Sequence, residues 1–320
     1  IPPMTPRLSA RRHVSFTVLI FGCVLIPFLA SCSQSTEPLV AEEYLLGTVI
    51  RISIHDDGYD TALTDRVFER VATIERRMST SEDDYDDTEL LSVNRAPAGT
   101  ATPVSPDTFA VLSAALDYSR VSNGAFDVTI WPLVTLWSIG SGGETVPPEE
   151  QIAAARNLVD YNDLTLHADE TVTLARDGMG VDVGAIAKGY AADEAERILR
   201  DAGVTSALLD FGGNILVIGA KPDDSLWRIG IQRPDAERSR YIGIIHTADR
   251  TVVTSGPYER FFVEDGVRYH HILDPETGYP SRNGLVQVTI VAERSIDADA
   301  LSTTSYVLGL TAAYDVSESI

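Results

Sequence analysis

The sequence predicts an α+β fold in which mostly antiparallel sheets and segregated helices form one two-lobed domain. Three observations predict it. Short runs rich in β-branched and aromatic residues follow one another closely between residues 207 and 292, as they do in antiparallel sheets. Patterns with helical spacing lie mainly before this region and return once after it. No internal repeat, low-complexity tract or proline-rich linker divides the chain, so one domain is preferred over two.

The N-terminus has the features of a bacterial export signal. Arg7, Arg11 and Arg12 precede an apolar run over residues 14–30, and small residues lead directly into Cys32. This order of a charged start, a short apolar segment and small residues before a cysteine is typical of a lipoprotein signal peptide, here residues 1–32, with lipid on Cys32. The alternative is an uncleaved anchor helix in which Cys32 is incidental. Either interpretation puts the remaining chain outside the cytoplasm, and we expect it on the periplasmic side of a bacterial membrane.

The rest of the chain is predicted to be a flexible polar tether over residues 33–42, followed by a domain over residues 43–320. The other cysteine, Cys23, lies in the segment to be removed, so the mature protein is expected to have no disulfide. The chain has a net charge of −22, and Lys188 and Lys221 are its only lysines. An acidic surface of this kind argues against nucleic acid and against electrostatic binding to anionic lipid.

The first half of the domain contains the clearer helical patterns. Residues 44–54 alternate and predict one strand, and apolar residues spaced along 63–78 then predict a helix. A polar, acidic loop is expected over 79–87. Ser105-Pro106 is a typical helix start, and Asn123-Gly124 a typical helix end. A short helix over 151–159 and a hairpin of strands 164–166 and 171–174 complete this half.

The second half is predicted to be richer in strands. A helix runs from about residue 185 to residue 200, and a final helix begins near Ala298. The residues after Thr311 are expected to belong to an unfinished element. Between the two helices the strands are predicted over residues 207–211, 214–218, 226–232, 241–246, 251–254, 261–264, 267–272 and 285–292.

A glycine-rich stretch over residues 178–193 precedes and begins the helix that contains Lys188. Glycines at a helix start let a ligand approach the main chain closely, and the free N–H groups there favour phosphate. The spacing fits neither a P-loop nor a dinucleotide fingerprint. The alternative is a tight turn in which Lys188 is merely solvated.

Asp299 and Thr303 are one helical turn apart and therefore share a helix face. A carboxylate and a hydroxyl presented to one point are ligands suited to Mg²⁺. The alternative is a capping aspartate followed by a threonine that bonds back to its own helix.

His270 and His271 end an apparent strand, so their side chains are expected to point in opposite directions. His271 could accept a proton near neutral pH. The alternative is a structural histidine. Without cysteines or spaced carboxylates nearby, the pair does not indicate a zinc site.

The chain resembles the ApbE family. The resemblance rests on motifs that occur in the family's order: Leu46-Gly-Thr48, Met78-Ser-Thr80, Gly124-Ala-Phe-Asp-Val-Thr129, Val181-Asp-Val-Gly-Ala-Ile-Ala-Lys-Gly-Tyr190, Asp210-Phe-Gly-Gly-Asn214, Thr254-Ser-Gly256, His271-Ile-Leu-Asp-Pro275 and Ala298-Asp299. Members of this family are FAD:protein FMN transferases, and many are periplasmic lipoproteins. The resemblance covers nearly all of the expected mature chain and joins the separate stretches into one site.

The resemblance implies a set of functional residues. Mg²⁺ would be held by the Ala185 carbonyl and the side chains of Asp299 and Thr303. Lys188 would neutralise the pyrophosphate of FAD together with Mg²⁺, and His271 would be the base that activates an acceptor threonine. The implied contacts to FAD come from Leu46, Ala125, Phe126, Asp127, Asp182, Lys188, His271 and Ile272. AMP would be released, and the acceptors would be flavin-bearing subunits of sodium-pumping or related membrane redox complexes that contain a short Ser/Thr-Gly-Ala motif.

One position departs from the family pattern. The family commonly has an aromatic residue after the Ser-Thr pair, stacked on the flavin, whereas this chain has Ser81; Tyr85 is a candidate to replace it. If neither side chain covers the flavin, water could reach the phosphorus, and the chain would be a Mg²⁺-dependent FAD pyrophosphatase that yields FMN and AMP. A flavin-carrying lipoprotein without catalysis is the third hypothesis, and Asp299, Thr303 and Lys188 would be superfluous for it.

Overall fold

The computed structural model describes residues 37–81, 85–142, 144–234 and 240–317. The predicted signal peptide, Cys32 and the first part of the predicted tether lie outside the described residues. No helix within these ranges has the length and apolar character needed to cross a membrane. Residues Thr36–Ile320 form one compact unit.

The fold combines helices with sheets whose paired strands are antiparallel, which confirms the predicted α+β class. In chain order they are β1 (Leu39–Leu45), β2 (Thr48–Ile54), α1 (Thr61–Met78), α2 (Glu89–Arg95), β3 (Thr102–Pro103), α3 (Pro106–Val121), α4 (Trp131–Trp137), α5 (Glu149–Arg156), β4 (Leu164–Leu166), β5 (Thr171–Leu174), α6 (Ala187–Asp201), β6 (Ala207–Phe211), β7 (Asn214–Ile218), β8 (Trp227–Gln232), β9 (Tyr241–Thr247), β10 (Arg250–Ser255), β11 (Phe261–Glu264), β12 (Val267–His270), β13 (Val288–Ala292), α7 (Ser295–Leu308) and α8 (Leu310–Ser317).

A six-stranded sheet with the order β1-β2-β6-β7-β10-β13 is the centre of the fold, and all its neighbouring strands are antiparallel. Its inner face packs against α1, α6 and α7 in the main hydrophobic core, to which Ile52, Val71 and Phe211 belong. Because side chains alternate across a strand, the opposite face presents Val217 and Val252, which are covered by the β8–β9 hairpin.

A second, smaller hydrophobic cluster is built on α4, α5 and the residues after β12. Trp137 is its centre: the indole N–H donates to the Gly278 carbonyl at 2.8 Å, and the ring stacks on Tyr269 of the β11–β12 hairpin at 5.6 Å. This cluster fixes the hairpin whose end carries His271. This second cluster therefore positions one side of the candidate site.

The start of the domain differs from the prediction. Residues 44–54 form a hairpin rather than one strand, because Leu46 and Gly47 have φ values of 53° and 69° and make a two-residue turn. β1 begins at Leu39, so residues 39–42, which we expected in the flexible tether, pair with β2. The tether prediction is therefore wrong for these four residues, because ladder hydrogen bonds to β2 order them.

Several element bounds also differ. α2 and α4 are short helices that the sequence did not predict; α2 begins where the Thr88 hydroxyl accepts a hydrogen bond from the Leu91 N–H at 3.0 Å. β12 ends at His270 instead of residue 272, so His271 is not in the ladder. α7 begins at Ser295, three residues before the expected start.

Candidate functional site

The turn that leads into α6 is fixed by side chains from distant parts of the chain. Asp182 Oδ1 accepts a hydrogen bond from the Gly184 N–H at 2.9 Å, and Oδ2 accepts one from the Thr80 hydroxyl at 2.8 Å. Both carboxylate oxygens of Asp182 are thus engaged within the protein. Asn94 pairs with both the N–H and the carbonyl of Val181, at 2.7 and 2.9 Å. The glycine-rich segment is therefore a rigid turn that joins two of the family motifs.

Helices α6 and α7 approach each other closely at Gly189. Asp299, which is only 4% exposed, accepts a hydrogen bond from the Gly189 N–H through Oδ2 at 2.9 Å. In a regular helix this N–H would bond to the carbonyl four residues earlier, which is that of Ala185. Among the described residues no main-chain hydrogen bond reaches the Ala185 carbonyl. Because Asp299 accepts the hydrogen bond from Gly189, the Ala185 carbonyl oxygen remains available as a ligand.

The structure also excludes the alternative roles considered for Asp299 and Thr303. Asp299 is the fifth residue of α7 and not its cap, which is Arg294. Ser302 and Thr304 bond back to carbonyls of their own helix, at 2.9 and 2.7 Å, but no such bond is found for the Thr303 hydroxyl within the described ranges. Thr303 is half-buried. Its hydroxyl is thus free to act as a ligand one turn from Asp299.

These oxygen atoms fit a hard divalent cation. The set combines one main-chain carbonyl, the second carboxylate oxygen of Asp299 and one hydroxyl, which are the ligand types that Mg²⁺ takes. Within the described residues there is no group of three or more His, Cys, Asp or Glu side chains placed to hold a metal ion. The set of one carbonyl, one carboxylate and one hydroxyl is a different kind of site, because only its carboxylate comes from these four residue types.

Because α6 and α7 approach each other closely at Gly189, a larger residue there is expected to destabilise the protein. A Cβ added there would lie 2.3 Å from the Ser295 carbonyl oxygen and 2.6 Å from Ile296 Cα. Both atoms are main chain, so rotating a side chain cannot relieve the contact. Gly189→Ala is expected to lower the free energy of unfolding by about 1–3 kcal/mol through overpacking, which exceeds the gain of about 1 kcal/mol in helix propensity.

Urea unfolding monitored by circular dichroism would measure the effect of Gly189→Ala. Gly243→Ala in β9 is the matched control, because its added Cβ would meet only Ile231 Cδ1, at 3.9 Å. Equal stability of the two variants would show that α6 and α7 are less tightly packed than the structure indicates.

The two histidines have different environments. His270 is buried, its Nδ1 accepts from the Ile272 N–H at 3.3 Å, and its Nε2 therefore donates to the Ser281 carbonyl at 3.0 Å. Both ring nitrogens are occupied, so His270 is structural, and burial lowers its pKa.

His271 is half-buried, and its Nδ1 lies 3.2 Å from the Arg260 carbonyl. Because a carbonyl can only accept, Nδ1 carries the proton and Nε2 has a free lone pair. Burial within the protein, followed by the positive charge of Arg260, lowers the pKa of His271 to about 3. The imidazole is therefore neutral at physiological pH and able to accept a proton at Nε2.

Lys188 lies in the first turn of α6. Its ammonium group donates to the Gly184 carbonyl at 3.2 Å, and within the described ranges it forms no ion pair with a carboxylate. Its charge also contributes to the lowered pKa of His271. The structure thus brings Lys188 close to the candidate base, as the family pattern implies.

Two of the three side chains in the loop over residues 125–127 face the interior. Phe126 is buried with its ring 6.2 Å from that of Tyr118. Asp127 is also buried, accepting hydrogen bonds from Thr129 and from the Tyr161 N–H, and burial raises its pKa. Ala125 is half-buried. A ligand contact at Phe126 or Asp127 would therefore be made by the main chain.

For the other residues implied as FAD contacts, the hydrogen bonds within the protein involve mainly main-chain groups. The Leu46 N–H donates to Glu75 Oε1 at 2.9 Å, and the N–H and carbonyl of Ile272 are both hydrogen-bonded within the protein. The Ser81 carbonyl accepts from the Tyr85 N–H at 3.2 Å, which places Tyr85 one turn from Ser81. Both of these side chains are half-buried, and residues 82–84 lie outside the described residues.

Sequence reasoning missed some residues that shape the site. Asp193 of α6 accepts from the N–H groups of Ser295 and Ile296, at 2.6 and 3.0 Å, and so caps α7, whose own cap residue has no side-chain bond. Burial raises the pKa of Asp193 to about 6. The signal for Asp193 in the sequence was its position one helical turn after Gly189. Arg260 was also missed, and nothing in the local pattern marks it.

The fold and the site together define an α+β protein with a set of oxygen atoms at the contact of α6 and α7, a lysine at a helix start and a neutral histidine. Comparison with known proteins identifies its family. The model of the ApbE family matches residues 46–320. The chain therefore belongs to the ApbE family.

The chain is similar over most of its length to relatives named FAD:protein FMN transferase. It is 35% identical to that of Treponema pallidum, with 83% of this chain and 78% of the relative covered, and 37% identical to one of Klebsiella pneumoniae, with 83% and 81% covered. The crystal structure of the ApbE protein from Thermotoga maritima superposes with a TM-score of 0.80 and 32% identity, with 88% of this chain and 90% of that chain covered.

Proposed function

We propose that the chain is a Mg²⁺-dependent FAD:protein FMN transferase that moves the FMN moiety of FAD to a threonine hydroxyl of an acceptor protein and releases AMP. The observation that carries this proposal is the diversion of the Gly189 N–H to Asp299. It leaves the Ala185 carbonyl without its usual helical partner where α6 meets Asp299. Thr303 lies one turn after Asp299 on α7. This arrangement lies near a neutral histidine. The relatives of this chain are also named for the same activity.

The proposed reaction is a phosphoryl transfer. The threonine oxygen forms a bond to the phosphorus next to riboflavin, and the bond from that phosphorus to the bridging oxygen breaks, so AMP leaves with that oxygen. His271 Nε2 receives the hydroxyl proton, while Nδ1 keeps its own proton on the Arg260 carbonyl. Lys188 stabilises the negative charge of the pyrophosphate. Ala185, Asp299 and Thr303 would hold Mg²⁺, which would supply further charge neutralisation when bound.

Incubation of the chain with FAD, Mg²⁺ and a purified flavin-bearing subunit of a sodium-pumping redox complex tests the proposal. Flavin fluorescence on the subunit in a denaturing gel, with one AMP released per flavin attached, is the expected result. Fluorescence absent from the subunit would contradict the transferase proposal.

FAD hydrolysis is the second candidate, because Ser81 occupies the position at which the family commonly has an aromatic side chain. In hydrolysis, a water oxygen takes the place of the threonine oxygen at phosphorus. AMP release at the same rate with and without the acceptor subunit would favour this candidate. A flavin carrier without catalysis would release no AMP in either reaction.

The lowered pKa of His271 predicts a particular pH dependence. Since kcat/KM reports the free enzyme, and His271 there has a pKa of about 3, the imidazole is in its basic form throughout the range above about pH 4. With Mg²⁺ saturating, His271 is expected to cause no acidic decline in kcat/KM for FAD between pH 8 and about pH 5. A decline centred near 6.5, the ordinary value for histidine, that disappears in His271→Gln would show that His271 is more solvated than in this structure. A decline that persists in His271→Gln would belong to another group, such as Asp193 with its pKa of about 6.

We also propose that Cys32 carries lipid and holds the enzyme on the periplasmic side of the membrane, near acceptor subunits of membrane redox complexes. The support is the order of charged, apolar and small residues before Cys32. Tethering there would raise the effective concentration of acceptor threonines. Cys32→Ser is expected to move the protein from the membrane fraction to the soluble fraction and to abolish labelling with a fatty acid. Unchanged labelling would contradict lipidation at Cys32.

A further inference from the structure

Arg260 lies directly across from His271 at the open end of the β11–β12 hairpin. The register pairs Phe261 with His270, so the next pair outward is Arg260 and His271. The Arg260 carbonyl accepts hydrogen bonds from both the N–H and Nδ1 of His271, each at 3.2 Å. The Arg260 charge also acts on the His271 imidazole. The guanidinium group therefore lies within electrostatic reach of the candidate base.

The Arg260 side chain is held along the protein surface without being neutralised. A Cβ added at Gly140 would lie 3.2 Å from Arg260 Cδ, so the apolar stem of the arginine rests against the Gly140 main chain. The residue is exposed, and within the described ranges its guanidinium group forms no ion pair with a carboxylate. Acidic residues outnumber basic ones, 47 to 25, in this chain. Arg260 and Lys188 both act on His271, and neither has a carboxylate partner within the described ranges, so the two cations are suited to a ligand that supplies negative charge.

The charges around His271 favour the same conclusion. Arg260 and Lys188 both act on its imidazole, so a proton arriving at Nε2 would create a third positive charge beside two others. That state is unfavourable unless an anion lies among the three groups. A pyrophosphate diester carries two negative charges, and two of its non-bridging oxygens can accept hydrogen bonds from two donors of a planar guanidinium.

We infer that Arg260 is a further anion-binding residue of the site and that it binds the pyrophosphate of FAD from the side of the hairpin, opposite Lys188. This inference rests on the proposed function, because it takes FAD as the substrate. Arg260 would act on the substrate through its side chain, whereas its main-chain carbonyl orients His271. The two roles can be separated, since substitution of the side chain leaves the carbonyl in place.

Binding titrations without acceptor protein, in the presence of Mg²⁺, test the inference with three probes: FAD, ADP, which has the pyrophosphate without the flavin, and riboflavin, which has the flavin without the pyrophosphate. Arg260→Ala is expected to weaken binding of FAD and ADP by about tenfold or more, the usual effect of losing a charge-assisted hydrogen bond. Riboflavin binding should change by less than about twofold, because riboflavin has no phosphate for the guanidinium to bind. Arg260→Lys should recover part of the loss by restoring the charge.

Arg228→Ala in β8 is the matched control, because Arg228 is also exposed and has no carboxylate ion pair within the described ranges. It should bind all three probes as the unaltered chain does. Unchanged FAD and ADP affinity in Arg260→Ala would overturn the inference, and so would an equal loss for riboflavin, which would indicate a structural effect. Failure of the unaltered chain to bind FAD would instead overturn the proposed function itself.

Discussion

Asp299→Asn is expected to lower Mg²⁺-dependent AMP release from FAD by about a thousandfold or more, which corresponds to about 4 kcal/mol of lost transition-state stabilisation. The amide has nearly the shape of the carboxylate, and its oxygen can still accept the Gly189 hydrogen bond that is seen at 2.9 Å. What it removes is the negative charge that would hold the cation. The loss should therefore appear in turnover and in Mg²⁺ affinity, with little change in the free energy of unfolding.

Asp299→Ala separates the two functions of this side chain. It removes the charge and also leaves the buried Gly189 N–H without an acceptor, so it should lose turnover and stability together, the latter by about 1–3 kcal/mol. Asp117→Ala on α3, an exposed carboxylate paired with Arg120, is the control for removal of an acidic residue. Turnover of Asp299→Asn within a few-fold of the unaltered enzyme would refute the metal assignment.

His271→Gln is expected to slow flavin transfer to the acceptor subunit by about 10² to 10⁴-fold, the usual contribution of a general base. Glutamine can donate a hydrogen bond to the Arg260 carbonyl, as Nδ1 does at 3.2 Å, but it cannot take a proton from the threonine hydroxyl. FAD should still bind, because Lys188 and the cation ligands remain. Single-turnover transfer and equilibrium FAD binding, measured on the same preparation, distinguish a lost base from a lost binding site.

His246→Gln in β9 is the corresponding control, since His246 is exposed and belongs to the hairpin on the other face of the central sheet. It should transfer flavin at the unaltered rate. If His271→Gln also transferred flavin at that rate, another group would have to be the base, and the tautomer of His271 would be irrelevant to the chemistry.

The central elements were predictable because their signals are local. The bounds of β6, β7 and β11 follow from short runs of β-branched and aromatic residues between turn residues, and α3 begins at Pro106 with the expected Ser105 cap. Short α2 and α4 were missed because they are too brief to show helical periodicity. The β1–β2 turn was missed because Leu46, which is not a typical turn residue, adopts a positive φ.

Part of the candidate site was predictable from local signals. Helical spacing singled out Asp299 and Thr303, and residue chemistry singled out Lys188 and His271. The family resemblance joined these residues into one site and implied their roles. The contact of Gly189 with Asp299 spans 110 residues of sequence, and that of Asp193 with Ser295 spans 102. Periodicity and turn chemistry carry no information about such contacts, because they arise only when the helices pack. Arg260 was missed for the same reason.

The hydrogen bond from Gly189 to Asp299 also has a thermodynamic consequence. The helix α6 keeps the Ala185 carbonyl unpaired only while α7 lies against it, so the ligand set exists in the folded chain and not in the unfolded one. By linkage, any cation that occupies these ligands must stabilise the folded state by RT ln(1 + [L]/Kd), which is about 2.7 kcal/mol at a concentration one hundred times Kd. Melting temperature is thus a readout of occupancy that needs neither FAD nor an acceptor.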